Sequence, residues 1–208
     1  MTIHKRVNPQ NPDPETVALA AQVLESGGLI VYPTDTVYGL GCNPYDTSAV
    51  ERLFTVKRRP TTSAVPVAVS GTSMASKLAL VTYKARILMQ RFWPGPLTIV
   101  LSKKAVIPPL VTGGEESIGI RMPNHTVPLR MMEVAGLPIV ATSANLHGKP
   151  SPSVLDALSV EISSEVNLIL DGGRTTGGVE STVLDLTVDP PKILRRGPIS
   201  DEVLLGAI

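Results

Sequence analysis

With a single cysteine, Cys42, this 208-residue chain cannot close a disulfide on itself, and no second cysteine completes a zinc site. Aromatic residues are almost as scarce, at 3%, so the core has to be assembled from Val, Leu, Ile and Ala. Excess charge is missing too. Against 18 Asp and Glu stand 19 Lys and Arg, a net charge of +1, which argues against a polyanion-binding surface over the whole protein but leaves room for local basic clusters. No apolar run approaches the ~20 residues of a membrane span, so no membrane partner is expected. The opening "MTIHKRVNPQNPDPE" is polar and proline-rich, the wrong character for a secretory signal, and the cytoplasm is the expected compartment. The "GxxxxGK[ST]" loop of P-loop ATPases is absent, as are a nucleophile elbow and an ordered Ser/His/Asp set. His4, His125 and His147 lie far apart in polar stretches and read as surface residues rather than metal ligands.

What remains is a soluble aliphatic chain, 43% hydrophobic and 18% charged, long enough to bury a sizeable core. Asp13 is placed to cap a helix, Pro14 suits its first turn and Glu15 complements its positive end. Val17, Ala20, Ala21 and Leu24 then follow at helical spacing until Gly27-Gly28. A second helix is expected from Asp46 or Thr47 through Val50, Leu53 and Phe54 to Lys57, with further helical stretches at about 73–79, 83–92, 126–135, 153–159 and 200–206. Strands are expected at 29–32, 65–69, 97–101, 117–122, 138–142, 167–171, 181–186 and 192–195. Helix and strand alternate irregularly, and several strands run back to back late in the chain. That order indicates an α/β fold of α+β-like character: a single domain over 1–208 with a twisted mixed β-sheet, flanking helices and a polar N-terminal arm over about 1–12.

The ends of these strands share a chemistry. "PTDTVYGLG" follows the first strand, and "RMPNH", "TSAN" and "DGGRTTGGVEST" follow three others. They offer hydroxyls, amides and glycines but few carboxylates, which suits an anionic ligand better than proton transfer or a metal. Lys57, Arg58 and Arg59 stand at a helix end, Arg121 after an apolar run, and Arg195-Arg196 near the C-terminus. Taken singly, each part also has a plain reading. "KRRP" is a solvated helix terminus, the glycine pairs at 172–173 and 177–178 serve turns, "TSAN" is an Asn turn, and Tyr38 packs in the core.

Together the parts resemble the YrdC/Sua5 family. The likeness is carried by "GGLIVYPTDTVYGLG", "FTVKRRP", "RFWPGPLTIVL", "SIGIRMPNH", "IVATSANLHGKPSP", "DGGRTTGGVESTVLDL" and "ILRRGPI", in the family's order and over nearly the whole chain. The resemblance implies a concave central cavity and a nucleotidyltransferase that makes threonylcarbamoyl-AMP from L-threonine, bicarbonate and ATP, releasing pyrophosphate. Mg²⁺ would come bound to the ATP phosphates, with no metal site of the protein's own. The product would supply the threonylcarbamoyl group for N6-threonylcarbamoyladenosine at position 37 of tRNA, through a separate transferase complex, tRNA itself being met indirectly or weakly. The chain looks like the short form, without the extra C-terminal domain of longer relatives.

The same resemblance implies roles position by position. Lys57 and Arg59 would be catalytic, facing the ATP phosphates and the bicarbonate-derived carboxyl. Thr34, Arg121, Ser143 and Ser181 would bind threonine, Arg121 through a two-pronged grip on its carboxylate. Ser117, Ser143, Asn145, Ser151 and Arg195 would complete the ATP site, and the glycines of "PTDTVYGLG" would permit close backbone approach. As solvent-facing cations of a cavity, Lys57 and Arg195 would add little to stability. The sequence departs from the family pattern at Ser63-Ala64-Val65, where many relatives read Asn-Pro-Leu, and the stretch "TTSAVPVAVS" has no histidine on the strand where many relatives place one that touches threonine. Two other functions fit parts of the chain: an RNA-binding module for tRNA or double-stranded RNA, weakly supported by "KRRP" and "RRG", and a related acyl-adenylate enzyme with a different acceptor.

Overall fold

In the computed structural model, which describes residues 2–208, part of the polar N-terminal arm is a strand: β1 (Ile3–Arg6) pairs in parallel with Leu168–Asp171. All four β1 residues are exposed, so no hydrophobic alternation marks the strand in the sequence. Helix α1 (Pro14–Glu25) starts as expected. The Asp13 carboxylate accepts the Thr16 backbone N–H at 2.8 Å, and Val17, Ala20, Ala21 and Leu24 are buried. Then come β2 (Ile30–Tyr32), β3 (Gly39–Gly41), α2 (Thr47–Lys57), β4 (Val67–Ala68), α3 (Thr72–Leu78), α4 (Tyr83–Phe92), β5 (Leu97–Ser102) and β6 (Ser117–Arg121). The chain continues through α5 (Thr126–Ala135), β7 (Ile139–Val140), β8 (Thr142–Ser143), α6 (Val160–Ser163), β9 (Leu168–Asp171), β10 (Thr182–Asp185), β11 (Lys192–Arg195) and α7 (Asp201–Leu205).

The mixed sheet is in fact two. Five strands run in the order β1-β9-β2-β3-β8 and six in the order β11-β10-β5-β6-β4-β7, each with parallel and antiparallel neighbours. The expected strand over 138–142 breaks at Ala141, whose N–H bonds the Pro66 carbonyl at 2.8 Å; the residues before it join one sheet and those after it the other. Strand β3 escapes a propensity reading because two of its three residues are glycine. Tertiary contact explains Gly41: a Cβ there would lie 2.5 Å from both the Ile139 side chain and the Val140 carbonyl. The helix expected over 153–159 is a single 3-10 turn, Leu155–Ala157, followed by the short α6. Ser159 interrupts the run, because its hydroxyl accepts the Ile162 N–H at 3.4 Å and starts a new helix.

Strand β2 shows why an unbroken apolar run was needed. Ile30 and Tyr32 join Leu24, Met131 and Leu168 under α1 and α5, whereas Leu29 and Val31 join Leu53, Phe54 and Ile120 in the larger core. Both faces are therefore buried. Among the described residues no helix is long and apolar enough to cross a membrane.

His125 is no ordinary surface histidine. It caps α5, its Nδ1 accepting the Val127 N–H at 3.2 Å, which requires the neutral ring. Burial pulls its pKa below the ordinary 6.5, with the Asp35 charge opposing. The unfolded chain therefore takes up this proton more readily than the folded one. The contribution is fully present above pH 6.5 and fades as pH falls below it. His125→Asn keeps a capping oxygen without a titrating ring, so its melting temperature should fall less than that of the native protein between about pH 7.5 and about pH 5.5. Parallel melting curves across that range would show the cap is pH-insensitive.

Candidate active site

Pairing register brings the distant cations together. Arg195 pairs with Val183, Val183 with Thr98, Thr98 with Arg121, and Arg121 with Ala68, forming one row across β11, β10, β5, β6 and β4. Residues opposed on neighbouring strands present their side chains to the same face. Arg195, Thr98, Arg121 and Ala68 accordingly line one cavity of about 400 Å³. The five-stranded sheet closes it with Tyr32, Tyr38, Gly39 and Ser143, and the end of α2 adds Lys57 and Arg59.

The loop after β2 is folded by its own hydroxyls. Thr34, only 8% exposed, donates to the Val37 carbonyl at 2.6 Å and accepts the Thr36 N–H at 3.1 Å. The glycine-rich segment before β10 lies over it. Gly178 N–H and the Thr175 hydroxyl both donate to the Thr36 carbonyl, at 2.7 and 3.0 Å. Gly177 is needed there for close approach, since a Cβ would sit 2.6 Å from the Asp35 carbonyl. Tyr38, fully buried, ties the two segments: its hydroxyl donates to Gly173 O at 2.7 Å and accepts the Gly172 N–H at 3.1 Å. Burial pushes this phenol up to about 12, so it stays protonated at neutral pH.

The "KRRP" end of α2 splits its cations. Arg58, in the left-handed conformation at φ +51°, turns outward with 70% of its side chain exposed, as a solvated terminus should. Lys57 turns inward and is 1% exposed. Its ammonium donates to Ser143 O at 2.5 Å, Asn145 O at 2.6 Å and Asn145 Oδ1 at 3.4 Å. Burial first, and the Arg59 charge second, pull its pKa down to about 7, with Glu180 opposing. The expectation of a solvent-facing Lys57 is thus corrected: its three donors hold the "TSAN" turn in place. Arg59 bonds the carbonyls of Ser63 and Ala64, at 3.2 and 2.7 Å, so the divergent Ser63-Ala64-Val65 stretch serves the site through its backbone.

Both guanidinium groups of the row are held by carboxylates. Arg121 donates from Nε to Gly95 O at 3.0 Å, from Nη1 to Thr36 Oγ1 at 2.9 Å and from Nη2 to Asp35 Oδ1 at 2.5 Å. Three of its five N–H donors are used, and two remain for a ligand. Arg195 pairs with Glu180 Oε2 and bonds Ser181 O and Oγ, each at 3.0 Å. Ser181 in turn shares a 2.8 Å hydrogen bond with Thr98, both almost wholly buried.

Of the residues singled out in the sequence, Thr34, Lys57, Arg59, Arg121, Ser143, Asn145, Ser181 and Arg195 all line this cavity. Ser117 does not. It pairs with Ser102 at the opposite end of β6 from Arg121, about 13 Å along the strand. Ser151 is also outside the lining, reaching the site only through Glu180, whose Oε1 accepts its hydroxyl at 2.6 Å. Sequence reasoning missed Thr98, Asp35, Thr36 and Glu180. All four stand inside the quoted motifs; Thr98 drew no notice because it is the lone hydroxyl in the apolar run 97–101. His147 also lines the cavity, with its backbone N–H on Lys57 O at 2.8 Å. Glu180 is the single carboxylate on the cavity wall, and among the described residues no group of three or more His, Cys, Asp or Glu comes together to hold a metal ion.

The cavity is lined by cations and hydroxyls, and the chain that forms it is similar to known proteins. The family model Sua5_yciO_yrdC, described as "Telomere recombination", matches residues 22–197. The chain is similar to the threonylcarbamoyl-AMP synthase of Pyrococcus abyssi, 41% identical over 196 residues covering 92% of this chain and 58% of that one. It is equally similar to the threonylcarbamoyl-AMP synthase of Bacillus subtilis, 41% identical over 198 residues covering 94% of this chain and 57% of that one. Its length is thus a little over half that of these two relatives. The crystal structure of P. abyssi Sua5 complexed with L-threonine superimposes with a TM-score of 0.95 at 39% identity, covering 100% of this chain and 61% of that one. By the reach of the family model and these identities, the chain belongs to the Sua5/YciO/YrdC family.

Proposed function

We propose that the chain makes threonylcarbamoyl-AMP and pyrophosphate from L-threonine, bicarbonate and ATP. The observation that carries this reading is the convergence of Arg121, Lys57, Arg59 and Arg195 on one cavity with buried hydroxyls between them. The two free N–H donors of Arg121 suit a carboxylate, and the Thr98–Ser181 pair and Thr34 lie beside it for the rest of an amino acid. Arg59 and Arg195 supply charge for a triphosphate, and the Ser143–Asn145 turn, pinned by Lys57, supplies polar contacts.

In the proposed reaction the threonine amine attacks bicarbonate carbon, an amine proton passes to the departing hydroxyl, which leaves as water, and a carbamate results. A carbamate oxygen then attacks the α-phosphorus and the bond to pyrophosphate breaks. Negative charge accumulates on the departing phosphates, so fixed cations are what lowers the barrier. Mg²⁺ enters with ATP as part of the substrate. The cavity fits that arrangement better than a resident ion, because its wall offers a single carboxylate, Glu180, among several cations. A cytoplasmic setting belongs to the same proposal, since the product serves tRNA modification through a separate transferase complex.

The test is to incubate the pure protein with ATP, Mg²⁺, bicarbonate and single amino acids and follow pyrophosphate. Release that needs both threonine and bicarbonate is the expected result. Release with another amino acid alone would change the acceptor, and none with any amino acid would sink the reading.

A further inference from the structure

We propose that Glu180 is the protein's ligand to the divalent cation of the bound nucleotide, so that the metal site is completed only when triphosphate and carboxylate meet. This rests on the ATP reading above. Glu180 stands directly before Ser181 and is the one carboxylate on the cavity wall. Its Oε2 pairs with Arg195 and its Oε1 accepts the Ser151 hydroxyl at 2.6 Å. A carboxylate has about four acceptor positions, so these two contacts leave room for a cation without breaking either. Burial pushes its pKa up, but Ser151, Arg195, Ser143 and Lys57 together outweigh burial and hold it below the usual carboxylate range, as an anion.

That anion poses a problem for any phosphate. A triphosphate drawn to Arg195 must come up against Glu180, and like charges at such close range repel. Either the carboxylate leaves or a cation sits between them. Leaving is opposed, because both of its oxygens are held. Sharing a cation is favoured, because Mg²⁺ is commonly bound by one or two carboxylates together with substrate phosphates and several waters. The absence of a second carboxylate on the wall then explains itself: phosphate oxygens supply the other charged ligands. Glu180 would thereby select metal-bound nucleotide over free nucleotide and over small anions.

The test measures binding of a non-hydrolysable ATP analogue by calorimetry, with Mg²⁺ and with EDTA, in the native protein and in Glu180→Gln. Native protein should bind about tenfold or more tightly with Mg²⁺, and Glu180→Gln should reduce that benefit to about threefold or less. Without metal, the variant should bind the analogue at least as tightly as the native protein. Glu180→Asp, which keeps a carboxylate, should retain part of the Mg²⁺ benefit. Electron paramagnetic resonance of Mn²⁺ gives an independent readout. The ion should be immobilised by native protein plus analogue, and less so by Glu180→Gln plus analogue. A Glu180→Gln protein that loses metal-free and metal-bound affinity equally would show that Glu180 only positions Arg195, and an unchanged Mg²⁺ benefit would remove it from the metal; both overturn the inference while nucleotide binding stands. Native protein that binds no nucleotide under either condition would overturn the ATP reading and this inference with it.

Discussion

Lys57→Ala is expected to lower pyrophosphate release by roughly tenfold to a thousandfold and to lower the melting temperature as well. The first effect follows if the Ser143–Asn145 turn must be held for the nucleotide, because Lys57 binds both carbonyls of that turn. The second follows from burial. Lys57 is 1% exposed, and removal of its ammonium leaves the Asn145 carbonyl without this donor and the Ser143 carbonyl with the Asn145 N–H alone. Orphaned acceptors cost about 1–3 kcal/mol, offset in part by no longer desolvating a charge, which corresponds to roughly 2–12 °C for a domain of this size. Lys57→Arg should fail to restore activity, since a planar fork does not fit a slot shaped by three oxygens around one nitrogen. Pyrophosphate release measured beside thermal melts decides the matter. A Lys57→Ala protein with native turnover and an unchanged melt would return Lys57 to the status of a plain helix-terminal charge.

Arg121→Lys should raise the threonine concentration needed for half-maximal release by about tenfold to a hundredfold, with a much smaller effect on the affinity for ATP. Arg121 uses separate nitrogens for Gly95 O, Thr36 Oγ1 and Asp35 Oδ1 and keeps two donors over. A lysine has three donors on one nitrogen, so it cannot hold the loop and a ligand carboxylate together. Asp35→Asn separates the two duties: it weakens the ion pair while leaving the fork intact, so its effect on threonine should be the smaller. If Arg121→Lys weakened ATP and threonine equally, the guanidinium would not be the amino-acid carboxylate's partner.

Much of the local structure was legible because its causes are local. The Asp13 and Asp46 caps each bond a backbone N–H three residues on, and the buried faces of α1 and α2 repeat at helical spacing. The cationic and hydroxyl-rich lining of the cavity was legible too, since hydroxyls, glycines and cations at strand ends are visible in any order. The failures have two causes, distant partners for the strands and a local cap for the helix. β1 is an exposed strand recruited by β9, far away in the chain, β3 is a glycine strand whose place is set by Ile139 and Val140, and the helix expected near 153–159 was undone by a hydroxyl.

By itself, then, the sequence determined where most helices begin, where most strands run, and that cations and hydroxyls stand at the strand ends. Tertiary structure alone decided how those parts are used. Strand register placed Arg195, Thr98, Arg121 and Ala68 in one row, while Ser117, on the same strand as Arg121, was left at the wrong end. Packing also decided that of three consecutive cations Lys57 is buried on carbonyls and Arg58 solvated, and that Glu180 and Asp35 occupy the two guanidinium groups. Capping and periodicity act within one or two turns of chain. Register and burial depend on contacts between segments mostly tens of residues apart, which no short stretch of sequence read alone contains.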